Sequence, residues 1–173
     1  WRWRSVTGAP SMADHELADA TGGGPDPADL LPRAGILLGL APTDRDDAVR
    51  RAGQLLIDLG AVDPDYAATM IQREAMVSSY VGEGFALPHG TDEGRAMVRR
   101  ATMAFLQFPD GIDWDGQTAH VAIPIAAAEG EHMAVMSRLA QILLDPDAAE
   151  RLRTTDDPDE VLALLAPQPA VQD

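Results

Sequence analysis

Cysteine is missing from all 173 residues. That removes disulfides, thiolate catalysis and cysteine-based zinc sites, and leaves any covalent chemistry to another nucleophile. Positive charge is scarce: 13 basic residues face 28 acidic ones, a formal charge of -15. A field of that sign repels nucleic acid and anionic lipid, so a basic protein partner fits better, although the same charge also serves plain solubility. Long apolar runs are absent too, every one falling far short of the ~20 residues a bilayer-spanning helix needs. No membrane insertion is expected. After Trp1-Arg2-Trp3-Arg4 no apolar stretch follows that could form the centre of a secretory signal, so a reducing, cytoplasmic setting is the expectation.

With 46% hydrophobic residues the chain can build one core and gives no sign of a second. Residues 1–32, rich in Gly, Pro, Ala and Asp and broken by Gly22-Gly23-Gly24-Pro25, read as a mobile tail. Met12 would make a natural start, which would leave residues 1–11 foreign to the native chain. The folded domain is expected over 33–167, followed by a short tail at 168–173.

Within that domain the apolar residues 35–40 predict an edge strand. Thr43 has the chemistry of an N-cap for a helix from Asp44, with Val49, Ala52, Leu55, Leu56 and Leu59 on one face and Gly60 as its stop. Asp63-Pro64 repeats the start signal for a second helix, which carries Tyr66, Met70, Arg73 and Glu74 and runs to about Ser78. Gly82 and Gly84 then open a loop into Phe85-Ala86-Leu87-Pro88-His89-Gly90. Residues 101–108 predict a strand buried on both faces, Pro109-Asp110-Gly111 a turn, and 119–126 another strand with Val121, Ile123 and Ile125 on one face. Pro124 cannot donate to a ladder and implies an edge or a bulge. Residues 131–144 are the strongest helical stretch, with Met133, Met136, Leu139, Ala140 and Leu143 expected inside, and short helices follow at 147–153 and 158–166. Interleaved strands and helices without a glycine-rich phosphate loop predict an α/β sandwich, a central mixed β-sheet flanked by helices on both faces.

Four histidines are available for chemistry. His15 falls in the expected tail, His120 within a strand where a satisfied structural ring is the simpler reading, and His132 at a helix start beside Glu131. His89 stands apart. Pro88 restricts its neighbour and Gly90 follows, so the imidazole is held at a stiff corner, and a histidine offers a neutral ring nitrogen near neutral pH. A turn residue with no chemical role fits the same spacing.

The segment QREAMVSSYVGEGFALPHGT (72–91) resembles the stretch around the phosphorylated histidine of mannitol- and fructose-type enzyme IIA domains of the bacterial sugar phosphotransferase system. FPDGIDW (108–114) followed by IAAAEGEHM (125–133) resembles their second signature, and the resemblance spans about 36–166. It implies a phosphotransferase component that needs no cofactor or metal. His89 would be the acceptor, a tele-phosphohistidine charged by phospho-HPr and discharged to a cysteine on the IIB domain of a membrane sugar permease. His132 would be the second active-site histidine, in contact with the phosphoryl group, and Arg73 the arginine whose charge faces it. Such a group transfer depends on alignment and fixed donors around the equatorial oxygens.

Ser78 and Ser79 occupy the family's Ser-Thr positions and would support the loop, or simply bond the local backbone. Arg73 by itself equally suits a surface pair with Glu74. Pro124 departs from the glycine usual at its position. FPDGIDW and EHM favour the mannitol branch, while the fructose and nitrogen-regulatory branches share the Pro-His-Gly corner, so a regulatory domain controlled by histidine phosphorylation is the alternative to transport. Docking onto a basic patch is expected around Phe85 and Leu87. The rival enzyme class is a zinc hydrolase using His89, His120 and His132, for which no HExxH or similar local pair exists. The sugar and the oligomeric state are left open.

Overall fold

Alternation along the central strands sends Phe85, Phe105 and Val121 to one side and Ala86, Leu106 and Ala122 to the other, so both faces of the sheet demand cover. The computed structural model describes residues 30–128 and 131–165. In chain order its elements are β1 (Ile36–Leu37), α1 (Arg45–Asp58), α2 (Tyr66–Met76), β2 (Tyr80–Gly82), β3 (Phe85–Ala86), β4 (Thr102–Met103), β5 (Phe105–Trp114), β6 (Gln117–Ala122), β7 (Ile125–Ala126), α3 (Glu131–Leu143), α4 (Pro146–Thr154) and α5 (Pro158–Leu165), with 3-10 turns at Arg33–Gly35 and Glu93–Met97. The strands form a mixed sheet in the order β1-β5-β6-β3-β2, and β4 pairs with β7 beside it. β1 runs parallel to β5 and β3 parallel to β6, while the β5–β6 and β2–β3 pairs are antiparallel. Helices α1 and α2 cover one face and α3, α4 and α5 the other, which is the α/β sandwich the sequence predicts. Among the described residues no helix is long and apolar enough to cross a membrane.

Several local expectations need correction. α1 is capped by Asp44, not Thr43. The Asp44 carboxylate accepts from the Asp47 amide at 2.8 Å, while the Thr43 amide donates to Asp47 at 3.0 Å. A carboxylate brings both an acceptor and a negative charge to the positive helix end, which a hydroxyl cannot. Asp63 caps nothing with its side chain, which binds Arg99; its carbonyl accepts from Tyr66, and α2 starts there and ends at Met76 instead of Ser78. Pro109-Asp110-Gly111 is an irregular segment inside β5. The reversal comes at Asp115-Gly116, both with positive φ, between the paired residues Trp114 and Gln117. Asp-Gly is the favoured two-residue hairpin turn, and it is this dipeptide that reverses the chain here.

The expected strand at 119–126 is two strands. β6 ends at Ala122, Pro124 uses its carbonyl to accept from Ala104, and β7 leaves the main sheet for β4. Pro124 therefore lies past the end of a central strand and not on an edge. Tyr80–Gly82 is also a strand, where only a loop was expected. In α3 the inner stripe is His132, Val135, Leu139 and Leu143; Met133 is 69% exposed and Ala140 faces solvent. Among the described residues Leu31 is already buried in this core and Leu30 packs against it, ahead of residue 33. The rest of that tail, His15 included, and the tail at 168–173 lie outside the described residues.

Candidate functional site

The corner after β3 is stitched to its neighbours by backbone bonds on both sides. The Leu87 amide donates to the Ser79 carbonyl at 3.0 Å, and the Ile125 amide donates to the Pro88 carbonyl at 3.0 Å. His89 itself bridges to Ile125 in parallel register. Tyr66, buried at the start of α2, completes the frame: its hydroxyl accepts from the Gly90 amide at 3.0 Å and donates to the Ile125 carbonyl at 3.2 Å. Glycine is required at 90 by close approach, since a Cβ there would fall 2.5 Å from Thr69 Oγ1 and 2.8 Å from the Tyr66 ring.

The frame holds the half-buried His89 ring in one orientation. Its Nδ1 lies 2.8 Å from the Leu87 carbonyl oxygen. A carbonyl only accepts, so Nδ1 carries the proton, and in the neutral ring Nε2 carries the free lone pair. Burial pushes the His89 pKa down, the Leu87 carbonyl works against that, and the positive charge of Arg73 adds to it. The ring is therefore neutral at neutral pH, as a nucleophile must be.

His132 packs against it with ring centroids 4.6 Å apart and the planes at 60°. It is the second residue of α3, 7% exposed, and neither ring nitrogen has a hydrogen-bond partner among the described residues. Leaving buried polar atoms unpaired costs about 1–3 kcal/mol each. Burial, followed by the charges of His89, Arg95 and Arg73, depresses its pKa to about 4 against the opposing pull of Asp92. The site thus contains an unsatisfied imidazole in a positive field, an arrangement completed by an anion.

Arg73 lies in the last turn of α2, where Nη1 donates to the Val77 carbonyl at 2.8 Å. It makes no pair with Glu74, whose carboxylate turns inward to Ser79 and Trp114. Its charge reaches both imidazoles. Ser79 meets the loop through its backbone carbonyl while its hydroxyl donates to Glu74, and the Ser78 hydroxyl serves the Tyr80 amide locally. His120 stands elsewhere, its Nδ1 3.3 Å from the Phe108 carbonyl, and among the described residues no three His, Cys, Asp or Glu side chains converge to hold a metal.

Two contributors were missed. From the sequence Tyr66 is only a position on the second helix. Arg95, in the 3-10 turn after the loop and paired with Asp92 at 3.4 Å, acts electrostatically on His89, His132 and Tyr66. No local pattern announces either. The docking expectation also changes, because Phe85 and Leu87 are buried. Among the described residues the exposed large apolar side chains are Leu37, Met76, Val77, Val81, Met133 and Leu144, and three of them, Val81, Met133 and Leu144, line a cavity of about 630 Å³ with Leu87 and Met136.

Residues 29–167 match the family model described as phosphoenolpyruvate-dependent sugar phosphotransferase system, EIIA 2. The chain belongs to this EIIA 2 family. It is 43% identical over 131 residues to the multiphosphoryl transfer protein of Xanthomonas campestris, an alignment covering 75% of the chain and 16% of that protein. It is 39% identical over 145 residues to the PTS system mannitol-specific EIICBA component of Pasteurella multocida, covering 82% and 23%. The chain thus spans less than a quarter of the length of these larger relatives. With the mannitol-specific phosphotransferase enzyme IIA component of Staphylococcus aureus the match is 34% and nearly whole, 78% of the chain and 93% of the relative.

Among solved structures, the IIA mannitol protein of Escherichia coli shares 37% identity at a TM-score of 0.73, covering 78% of this EIIA 2 chain and 98% of that one. The enzyme IIA in complex with phosphorylated enzyme IIB from the same organism shares 35% identity at a TM-score of 0.75, covering 79% and 98%.

Proposed function

We propose that this EIIA 2 domain is a cytoplasmic phosphohistidine carrier, taking a phosphoryl group from phospho-HPr onto Nε2 of His89 and passing it to the cysteine of a IIB component during sugar uptake, with mannitol as the sugar. The carrying observation is the histidine pair. One ring has Nδ1 committed to the Leu87 carbonyl, and the other lies 4.6 Å away with both nitrogens unpaired.

In the first step the Nε2 lone pair attacks phosphorus, a new N–P bond forms, and the donor's bond to phosphorus breaks with its electron pair returning to the donor. The proton stays on Nδ1, donated to the Leu87 carbonyl, and keeps the ring in register. His132 can present an N–H to an equatorial oxygen, and Arg73 supplies positive charge as the transition state spreads its negative charge. In the second step a partner thiolate attacks phosphorus, an S–P bond forms, and Nε2 recovers its lone pair. His89 is the covalent residue; His132 and Arg73 stabilise the transferring group.

Transport is preferred over a regulatory role because the mannitol-specific components of Pasteurella multocida and Staphylococcus aureus match at 39% and 34% identity, against 27% for the nitrogen regulatory protein IIA-Ntr of Neisseria meningitidis at a TM-score of 0.67. Incubation with phospho-HPr should add one acid-labile phosphate, mapped to His89, and His89→Ala should abolish it with the fold retained. A mannitol-type IIB domain should then discharge the phosphoprotein. Labelling of the alanine variant would refute the site, and a phosphoprotein inert towards IIB would refute the transport role.

A further inference from the structure

We propose that Glu74 is the positioning residue that selects which nitrogen of His89 reacts, acting through Ser79 and Leu87; the proposal rests on the carrier function above. Glu74 is 2% exposed and lies in the last turn of α2. Both facts count against a carboxylate there, since burial is costly and the helix C-terminus is the negative end of its dipole. Three donors offset this. The Ser79 amide and the Trp114 Nε1 donate to one oxygen at 2.7 and 2.8 Å, and the Ser79 hydroxyl donates to the other at 2.7 Å. The group binds three segments together: the end of α2, the residue before β2 and the tip of the β5–β6 hairpin.

From Glu74 a continuous path leads to the reacting ring. Ser79, gripped by its amide and its hydroxyl, presents its carbonyl to the Leu87 amide at 3.0 Å. Leu87, so held, presents its own carbonyl to Nδ1 of His89 at 2.8 Å. An imidazole without this acceptor is free to carry its proton on either nitrogen, and a proton on Nε2 blocks attack there. The N–H and C=O of Ser79, and those of Leu87, belong to different peptide groups, so the path acts by fixing the position of each residue in turn. The carboxylate therefore controls the tautomer without touching the phosphoryl group, and Arg73, its neighbour in sequence, acts on the charge.

The test uses the full chain with its imidazole nitrogens labelled, read by nitrogen-15 magnetic resonance before any donor is added, together with single-turnover transfer from phospho-HPr. Wild type should show one tautomer with the proton on Nδ1. Glu74→Leu, which keeps bulk without an acceptor, should show mixed tautomers and a first-order transfer rate lower by on the order of 100-fold, with little change in the concentration dependence. Glu74→Gln should restore the single tautomer, because its oxygen can receive the Ser79 and Trp114 N–H groups while its amide donates to the Ser79 hydroxyl. Val161→Ala, a core change in α5 far along the chain from the loop, controls for lost stability and should alter neither readout.

A single Nδ1–H tautomer in Glu74→Leu, or a rate loss no greater than in Val161→Ala, would overturn the proposal. If the leucine variant does not fold, Ser79→Ala carries the test: mixed tautomers are expected and a wild-type spectrum overturns the idea. A wild-type protein that accepts no phosphoryl group would sink the carrier function, while the donor-free spectra would still decide the part played by Glu74.

Discussion

Where the sheet faces α3, α4 and α5 it presents Phe85, Phe105 and Val121, joined by Ile123 and Ile125 from the chain beyond β6, and the helices answer with Val135, Leu139, Leu152 and Val161. The opposite face offers mostly alanine, at positions 86, 104, 119, 122 and 126, with Leu106, Phe108 and Trp114 beyond. Small side chains there let α1 and α2 come close. In α1, Gly53 has room for no Cβ, which would fall 2.7 Å from that of Ala67 in α2. The close approach brings Tyr66, Thr69 and Glu74 of α2 into hydrogen-bonding and packing range of the loops around His89. One face is a mainly apolar core that also holds His132 and the buried Gln107, whose amide donates to the Leu152 and Thr155 carbonyls; the other combines packing with the positioning of the site.

This contrast can be broken at four places. The largest effect is expected on the apolar face: Leu139→Ala, fully buried, should lower unfolding free energy by about 2–5 kcal/mol in a urea titration. The refolded protein should still accept phosphate at His89. Loss of labelling in folded protein would show that this face also positions the site.

His132 comes next. Its folded pKa of about 4 lies below the ordinary 6.5, so between those values the unfolded chain binds more protons than the folded one. Stability is fully present above pH 6.5 and declines as pH falls towards 4, by about 3 kcal/mol at ~1.4 kcal/mol per pH unit. His132→Ala should flatten that slope and slow transfer without removing the acceptor; an unchanged slope would assign the acid sensitivity to other groups.

On the polar face, Gly90→Ala should cost about 1–3 kcal/mol, because the added carbon meets Thr69 and the Tyr66 ring, and it should slow transfer by moving the loop. Wild-type kinetics would mean that the loop yields freely. The smallest change is Tyr66→Phe, which removes one hydroxyl and frees the Gly90 amide and the Ile125 carbonyl. About 1 kcal/mol of stability should go, with a larger proportional loss in transfer rate. Equal losses in both would reduce Tyr66 to a core residue.

Much of this was readable along the chain. Gly60 ends α1 in a left-handed conformation, Pro146 and Pro158 start α4 and α5, and the Pro-His-Gly corner marks the loop that holds His89. Such signals are local: a few neighbouring residues restrict φ or supply a cap, and that chemistry is the same in any fold. The misread places were those with competing local answers. Thr43 and Asp44 could each cap, and Pro109-Asp110-Gly111 and Asp115-Gly116 could each turn the chain. The second choice was made by pairing of β5 with β6, a partner that local propensity does not see. Met133 and Ala140 fit a helical face, but where that face points depends on how α3 docks.

Composition, helix and strand periods and two short signatures were enough for the α/β class and the family, and they single out His89 as the proposed acceptor, since each rests on residues close together in sequence. The working geometry of the site came from packing. Tyr66 reaches Ile125 across 59 positions and Trp114 reaches Glu74 across 40. Bonds between such distant partners exist only once both sheet faces are covered and water is displaced, and their directionality then leaves His89 one tautomer and His132 two unpaired nitrogens.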